Sequence, residues 1–119
     1  MLTKKKFNKD YKTSNWFVKK SEGLYVAERG WGNGYAIVPK GNHLYGKRTN
    51  EVHAMLSKRS DIKLYSEITF SGTMDYEGKQ YSSIGFDTNH FGDTIEKWPK
   101  EKVEEYARKL ASVVIGYNY

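Results

Sequence analysis

Nine consecutive residues, Gly85-Phe86-Asp87-Thr88-Asn89-His90-Phe91-Gly92-Asp93, hold two carboxylates, an imidazole and two glycines. Loops at the end of a rigid strand commonly carry binding and catalytic groups, because the scaffold fixes the backbone and leaves the side chains open to a ligand. Asp87, His90 and Asp93 recur every third residue, which brings them to one side of a tight turn or of one helical turn. Such a set could hold a hard or borderline metal ion. Asp87 and Asp93 could also serve as a hydrolytic carboxylate pair, a role set by their separation in space rather than in sequence. Each residue has a plainer reading: Asp93 caps the final helical region with Glu96 three residues on, His90 bonds to neighbouring backbone, and Asp87 closes the loop through a buried hydrogen bond.

A second group lies upstream. Trp31, Tyr35 and Tyr45 offer flat surfaces, and Lys40, Lys47 and Arg48 offer cations. Aromatic stacking on a base, joined to charged hydrogen bonds to phosphate, is the physical recipe for holding a nucleotide. The rival reading makes Trp31 and Tyr35 core or interface residues. Gly30-x-Gly32-x-Gly34 lacks the lysine and the strand-to-helix setting of a phosphate loop. None of Ser66, Ser71, Ser82 and Ser83 sits in the glycine-flanked turn that exposes a serine nucleophile.

The elements that must position these groups follow from periodicity. Asn15 to Lys19 and Gly23 to Glu28 read as strands of a hairpin around Ser21-Glu22-Gly23. Gly30 to Gly34 reads as a flexible or bent loop, and Tyr35 to Val38 as a buried strand ending at Pro39. Residues 39 to 50 form a polar loop, and Glu51 to Ser57 a short helix. Ile62 to Phe70 alternates as a half-buried strand does; Asp75 to Gly78 turns the chain, and Tyr81 to Phe86 returns, delivering Asp87 at its end. After Pro99, residues Val103, Tyr106, Ala107, Leu110, Val113 and Val114 share one helical face. The expected fold is α+β: an antiparallel sheet of about five or six strands with a C-terminal helix packed on one face.

The 119 residues suit one domain, read as a basic arm over residues 1–14 followed by a single α+β domain over 15–119. Residues 1 to 20 contain seven lysines and one acid, whereas the other 99 residues hold 13 basic and 13 acidic side chains. The net charge of +6 therefore belongs to the N-terminal segment. Nucleic-acid binding usually needs a basic folded surface, so here it would rest on the arm alone, whose simpler role is solubility. There are no cysteines, which removes thiol catalysis, disulfides and Cys-based zinc sites. No apolar run approaches the roughly 20 residues of a membrane span, and Met1 to Lys6 lacks the pattern of a signal peptide. A soluble, cytoplasmic protein is expected. Eighteen aromatics, three Trp, ten Tyr and five Phe, make a homodimer compatible with the composition.

Three blocks resemble a group of small bacteriophage proteins of unassigned function: Gly34-Tyr35-Ala36-Ile37-Val38-Pro39 followed by His43-Leu44-Tyr45-Gly46-Lys47; Ile68-Thr69-Phe70-Ser71-Gly72; and the segment from Gly85 to Asp93. The likeness runs from about residue 31 to 114. Where the group carries His-Pro, this chain has Asn42-His43, and where it carries Val-His-Gly-Gly, this chain has Leu64-Tyr65-Ser66-Glu67. Those changes argue against catalysis by the group's histidines. The resemblance implies a phage accessory protein acting in the host cytoplasm against host defence. One compatible mechanism is sequestration of a nucleotide-derived signal, without a cofactor, by Trp31, Tyr35, Lys40, Tyr45, Lys47, Arg48, Thr69, Asp87 and His90. The alternatives are direct contact with a host defence protein or nuclease, and hydrolysis of the signal by Asp87 and His90.

Overall fold

A computed structural model describes residues 10–21, 29–57, 68–88 and 92–116. Within them, five strands form one antiparallel sheet: β1 (Tyr11–Lys12), β2 (Trp16–Lys20), β3 (Gly32–Ile37), β4 (Phe70–Tyr76) and β5 (Lys79–Phe86), in the order β1-β2-β3-β5-β4. Two helices accompany them, α1 (Thr49–Ser57) and α2 (Lys100–Ile115). The α+β class and the C-terminal helix across the sheet are thus as the periodicity predicts. The expected strand over Gly23 to Glu28, and most of that over Ile62 to Phe70, lie outside the described residues. Sheet pairing also reaches into the segment read as a basic arm, since Tyr11 pairs with Val18 and Lys12 with Phe17.

Period-two alternation sorts the sheet into two faces. On one, Val18, Ala36, Ile84 and Phe86 meet Val103, Tyr106, Ala107, Leu110, Ala111 and Val114 of α2. Full burial of a side chain such as Leu110, only 1% exposed, stabilises the fold by about 1.5–3 kcal/mol. The helix packs chiefly against β3 and β2, with Pro99 as its N-cap and an ion pair of 3.3 Å between Glu105 and Lys109 on its outer side. Trp98 and Tyr106 meet as tilted rings with centroids 5.0 Å apart and extend this core beside Phe86.

The other face is aromatic. Phe17, Tyr35 and Tyr76 are buried together, with Phe70, Met74 and Tyr81 packed around them. Phe17 lies 5.0 Å from Tyr35 and 5.3 Å from Tyr76, although β3 and β5 separate β2 from β4. The pairing explains this approach. β3 pairs with β5 from Ser83 to Phe86, so among the described residues the outer half of the β4–β5 hairpin is a two-stranded ribbon. Such ribbons twist more strongly than wide sheets, and this one curls until its tip covers Phe17. Lys19 Nζ seals the closure by donating to the Asp75 carbonyl at 3.0 Å. The tip turns through Glu77 and Gly78, both at positive φ, the two-residue geometry that matches strand twist.

β3 and β5 lock together through an exchange of rings and glycines. Gly34 pairs with Phe86 and Tyr35 with Gly85. A Cβ on Gly34 would lie 2.6 Å from the Phe86 ring, and one on Gly85 would lie 2.5 Å from the Tyr35 ring. Each aromatic therefore lies across the glycine opposite it, on opposite faces of the sheet. The empty space at Gly34 also lets Ala107 of α2 come close.

Candidate functional site

The segment Gly30-Trp31-Gly32 is a packed seam rather than a flexible loop. Gly30 N donates to the Thr88 carbonyl at 2.7 Å, Trp31 N to the Trp98 carbonyl at 2.8 Å, and Thr88 Oγ1 to the Gly32 carbonyl at 2.7 Å. A side chain at residue 30 would overlap Thr88 and Trp98. Gly32 already belongs to β3. Trp31 is 1% exposed within the α2-side core, with Lys100 Nζ 5.6 Å from its ring. Its surface is used by the fold.

The loop before α1 is ordered by Asn42. This buried side chain accepts from Leu44 N and donates to the Val114 carbonyl, each at 2.8 Å, so it satisfies one of the carbonyls orphaned at the end of α2. Asn42 is thus a structural tie between this loop and α2. Downstream, Glu51 accepts from Arg48 N at 3.0 Å, the return half of a capping box at the start of α1. Ser71 Oγ donates to the Lys47 carbonyl at 2.5 Å and His53 Nε2 contacts the Ile68 carbonyl at 2.6 Å, so the loop and α1 are fastened to β4.

These ties create a cleft of about 360 Å³. Val38 and Leu44 lie at its base, Ser71, Thr73 and Ser82 of the hairpin offer hydroxyls, and Tyr45, Lys47 and Arg48 form its rim. Thr73 and Ser82 are cross-strand partners. The described lining contains two cations and no carboxylate. Its volume lies within the usual range for small-molecule sites, about 300–1,000 Å³.

The residues singled out in the sequence separate in space. Tyr45, Lys47 and Arg48 share the cleft. Lys40 and Thr69 are exposed but do not line it, and Thr69 N is engaged with the Gly85 carbonyl at 2.9 Å. Tyr35 and Asp87 come together on the aromatic face. Burial pushes the Tyr35 hydroxyl above its ordinary value, a hydrogen bond from Asn33 pulls it back, and the Asp87 charge adds to the rise.

His90 lies outside the described residues, and the candidate metal set of Asp87, His90 and Asp93 lies partly outside with it. Among the described residues, no three acidic or histidine side chains form a group able to hold a metal. Asp93 is half-buried, and in the turn that follows it Thr94 Oγ1 accepts from Lys97 N at 3.2 Å.

Sequence reasoning missed the hydroxyl side of the cleft. The signal was available in β4, where Phe70, Met74 and Tyr76 alternate with Ser71 and Thr73, placing the hydroxyls on the face opposite the rings. No helix among the described residues is long and apolar enough to cross a membrane. Compared with known proteins, the chain matches no family model, no curated protein and no solved structure.

Proposed function

We propose that this protein is a non-catalytic binder of a nucleotide-like anion, and that it acts as a phage accessory protein by withholding a nucleotide-derived signal from host defence. One observation carries the binding chemistry: Lys47, Arg48, the 45%-exposed Tyr45 ring and the hydroxyls of Ser71, Thr73 and Ser82 border a single cleft whose described lining has no carboxylate. The cations suit phosphate oxygens, and arginine can engage two at once. Hydroxyls can donate to or accept from a sugar or phosphate, while Tyr45 supplies a face on which a base can stack. The accessory role rests on the resemblance of the three sequence blocks.

Incubation with cyclic mononucleotides and cyclic dinucleotides, followed by washing and heat release, tests this reading. Recovery of intact nucleotide supports sequestration, and recovery of a cleaved product would replace it with hydrolysis. If no nucleotide is retained, the reading fails and direct contact with a host protein takes precedence. Lys47→Ala and Arg48→Ala should each weaken retention roughly three- to tenfold, since both charges are exposed and partly screened.

A further inference from the structure

The opposite face of the sheet contains a second cavity, of about 340 Å³, where β2 and β3 end beside the aromatic core. Among the described residues, its lining includes three cations, Lys19, Lys20 and Arg29, and one carboxylate, Asp10. Asp10 Oδ1 already accepts from Lys20 N at 2.7 Å, and Lys19 spends one of its donors on the Asp75 carbonyl. The formal charge of the described lining is therefore positive.

Two further atoms define the chemistry. Among the described residues, Ser21 Oγ and Asn33 Oδ1 are buried without a hydrogen-bond partner. Native proteins rarely leave such groups unsatisfied without a ligand, ion or water to meet them. Asn33 also shares a side-chain hydrogen bond with Tyr35, and its Oδ1 is the atom left without a partner. That oxygen can only accept. An occupant must consequently offer oxyanion oxygens to the lysines and arginine and a proton donor to Asn33.

We infer that this cavity is a second anion site, selective for a small oxyanion that bears its own donor, of the phosphomonoester class. A bare sulfate satisfies the cations but presents no proton to Asn33. A hydrogen phosphate or the hydroxyl of a small phosphate ester satisfies both. The site lies on the face opposite Tyr45, Lys47 and Arg48, so it stands or falls independently of the cleft.

Titrating the full ¹⁵N-labelled chain with inorganic phosphate, glycerol phosphate and sulfate at matched ionic strength, while observing the Asn33 side-chain amide and the Ser21 and Asn33 backbone amides, tests the site. Saturable shifts with both phosphates are expected, with sulfate at least threefold weaker. Arg29→Ala should weaken phosphate at least fivefold, whereas Arg108→Ala, exposed on α2 and in neither cavity, should leave it unchanged. If Arg29→Ala disturbs resonances remote from the cavity, Lys20→Gln carries the same expectation. Absence of saturable shifts at Asn33 would overturn the inference, as would equal binding of sulfate or indifference to the cavity variants.

Discussion

The two faces of this sheet solve the same burial problem with different covers. The first is covered by α2, an independent amphipathic helix whose aliphatic side chains fill the space above Val18, Ala36 and Ile84. The second is covered in part by the sheet itself, because the tip of the β4–β5 hairpin curls over Phe17 and brings Tyr76 and Tyr81 with it. A helix can bury short aliphatics at close range, whereas a curled ribbon must span a gap, and large rings span it better than Val or Ile. The difference explains why the buried hydrophobic side chains of that second face, Phe17, Tyr35 and Tyr76, are all rings. It also places the cleft beside the helix-bearing face and the cationic cavity beside the aromatic one.

The severest way to break this comparison is Phe17→Ala. If the aromatic face is a true core, the variant should lose about 3–5 kcal/mol, measured from its urea unfolding curve, comparable with a deletion beneath α2. A loss below about 1 kcal/mol would reduce that face to surface decoration. Next in size, Gly85→Ala and Gly34→Ala should each cost about 1–3 kcal/mol by forcing a methyl into a neighbouring ring. Combining Gly85→Ala with Tyr35→Ala should recover part of the loss relative to the sum of the single changes, a coupling that a double-mutant cycle reads directly.

Protonation separates the faces more gently. Tyr35 and Tyr76 are both raised by burial; Asp87 adds to the rise at Tyr35, and Glu77 and Asp10 add to it at Tyr76. A raised tyrosine binds its proton more tightly when folded, so its contribution is intact below its ordinary value of 10.0 and is lost as pH climbs through the higher folded value. Thermal melts should therefore weaken in that alkaline window, and Tyr35→Phe should flatten the dependence. The smallest effect belongs to α2. Burial raises Glu104, opposed by Lys100 and assisted by Glu101. Its folded state thus favours the protonated carboxyl: stability is full below the ordinary 4.5 and declines as pH rises through the folded value. Glu104→Gln should melt slightly higher than the parent at neutral pH, with the difference vanishing in acid.

How much of this was legible in the sequence depended on how local the cause was. The spacing of Val103, Tyr106, Ala107 and Leu110 disclosed α2 because helical periodicity is written in neighbouring residues. The turn before Lys79 and the return strand to Phe86 were legible for the same reason. Trp31 reads as a ligand platform because its ring is flat, in a segment whose glycines suggest a flexible or bent loop; only the approach of Thr88 and Trp98, more than 50 positions away, reveals Gly30 as a packing necessity. Lys47 and Arg48 were found by type, but their partners Ser71, Thr73 and Ser82 arrive through hairpin pairing and the Asn42 tie. Asn33 passed unnoticed beside Tyr35, since an orphaned amide oxygen is a property of surroundings rather than of residue type.

The reciprocal placement of Gly34 and Tyr35 against Gly85 and Phe86 also acts as a key for strand alignment. If β3 slid one residue along β5 in one direction, Tyr35 would stand opposite Phe86, two large rings contesting one position. In the other direction Gly34 would stand opposite Gly85 and leave a hole with no ring to fill it. Either slip would also exchange the two faces of the moving strand. Four residues thereby choose a single alignment among its nearest competitors, and with it the position at which the chain leaves β5 and Asp87 begins the loop.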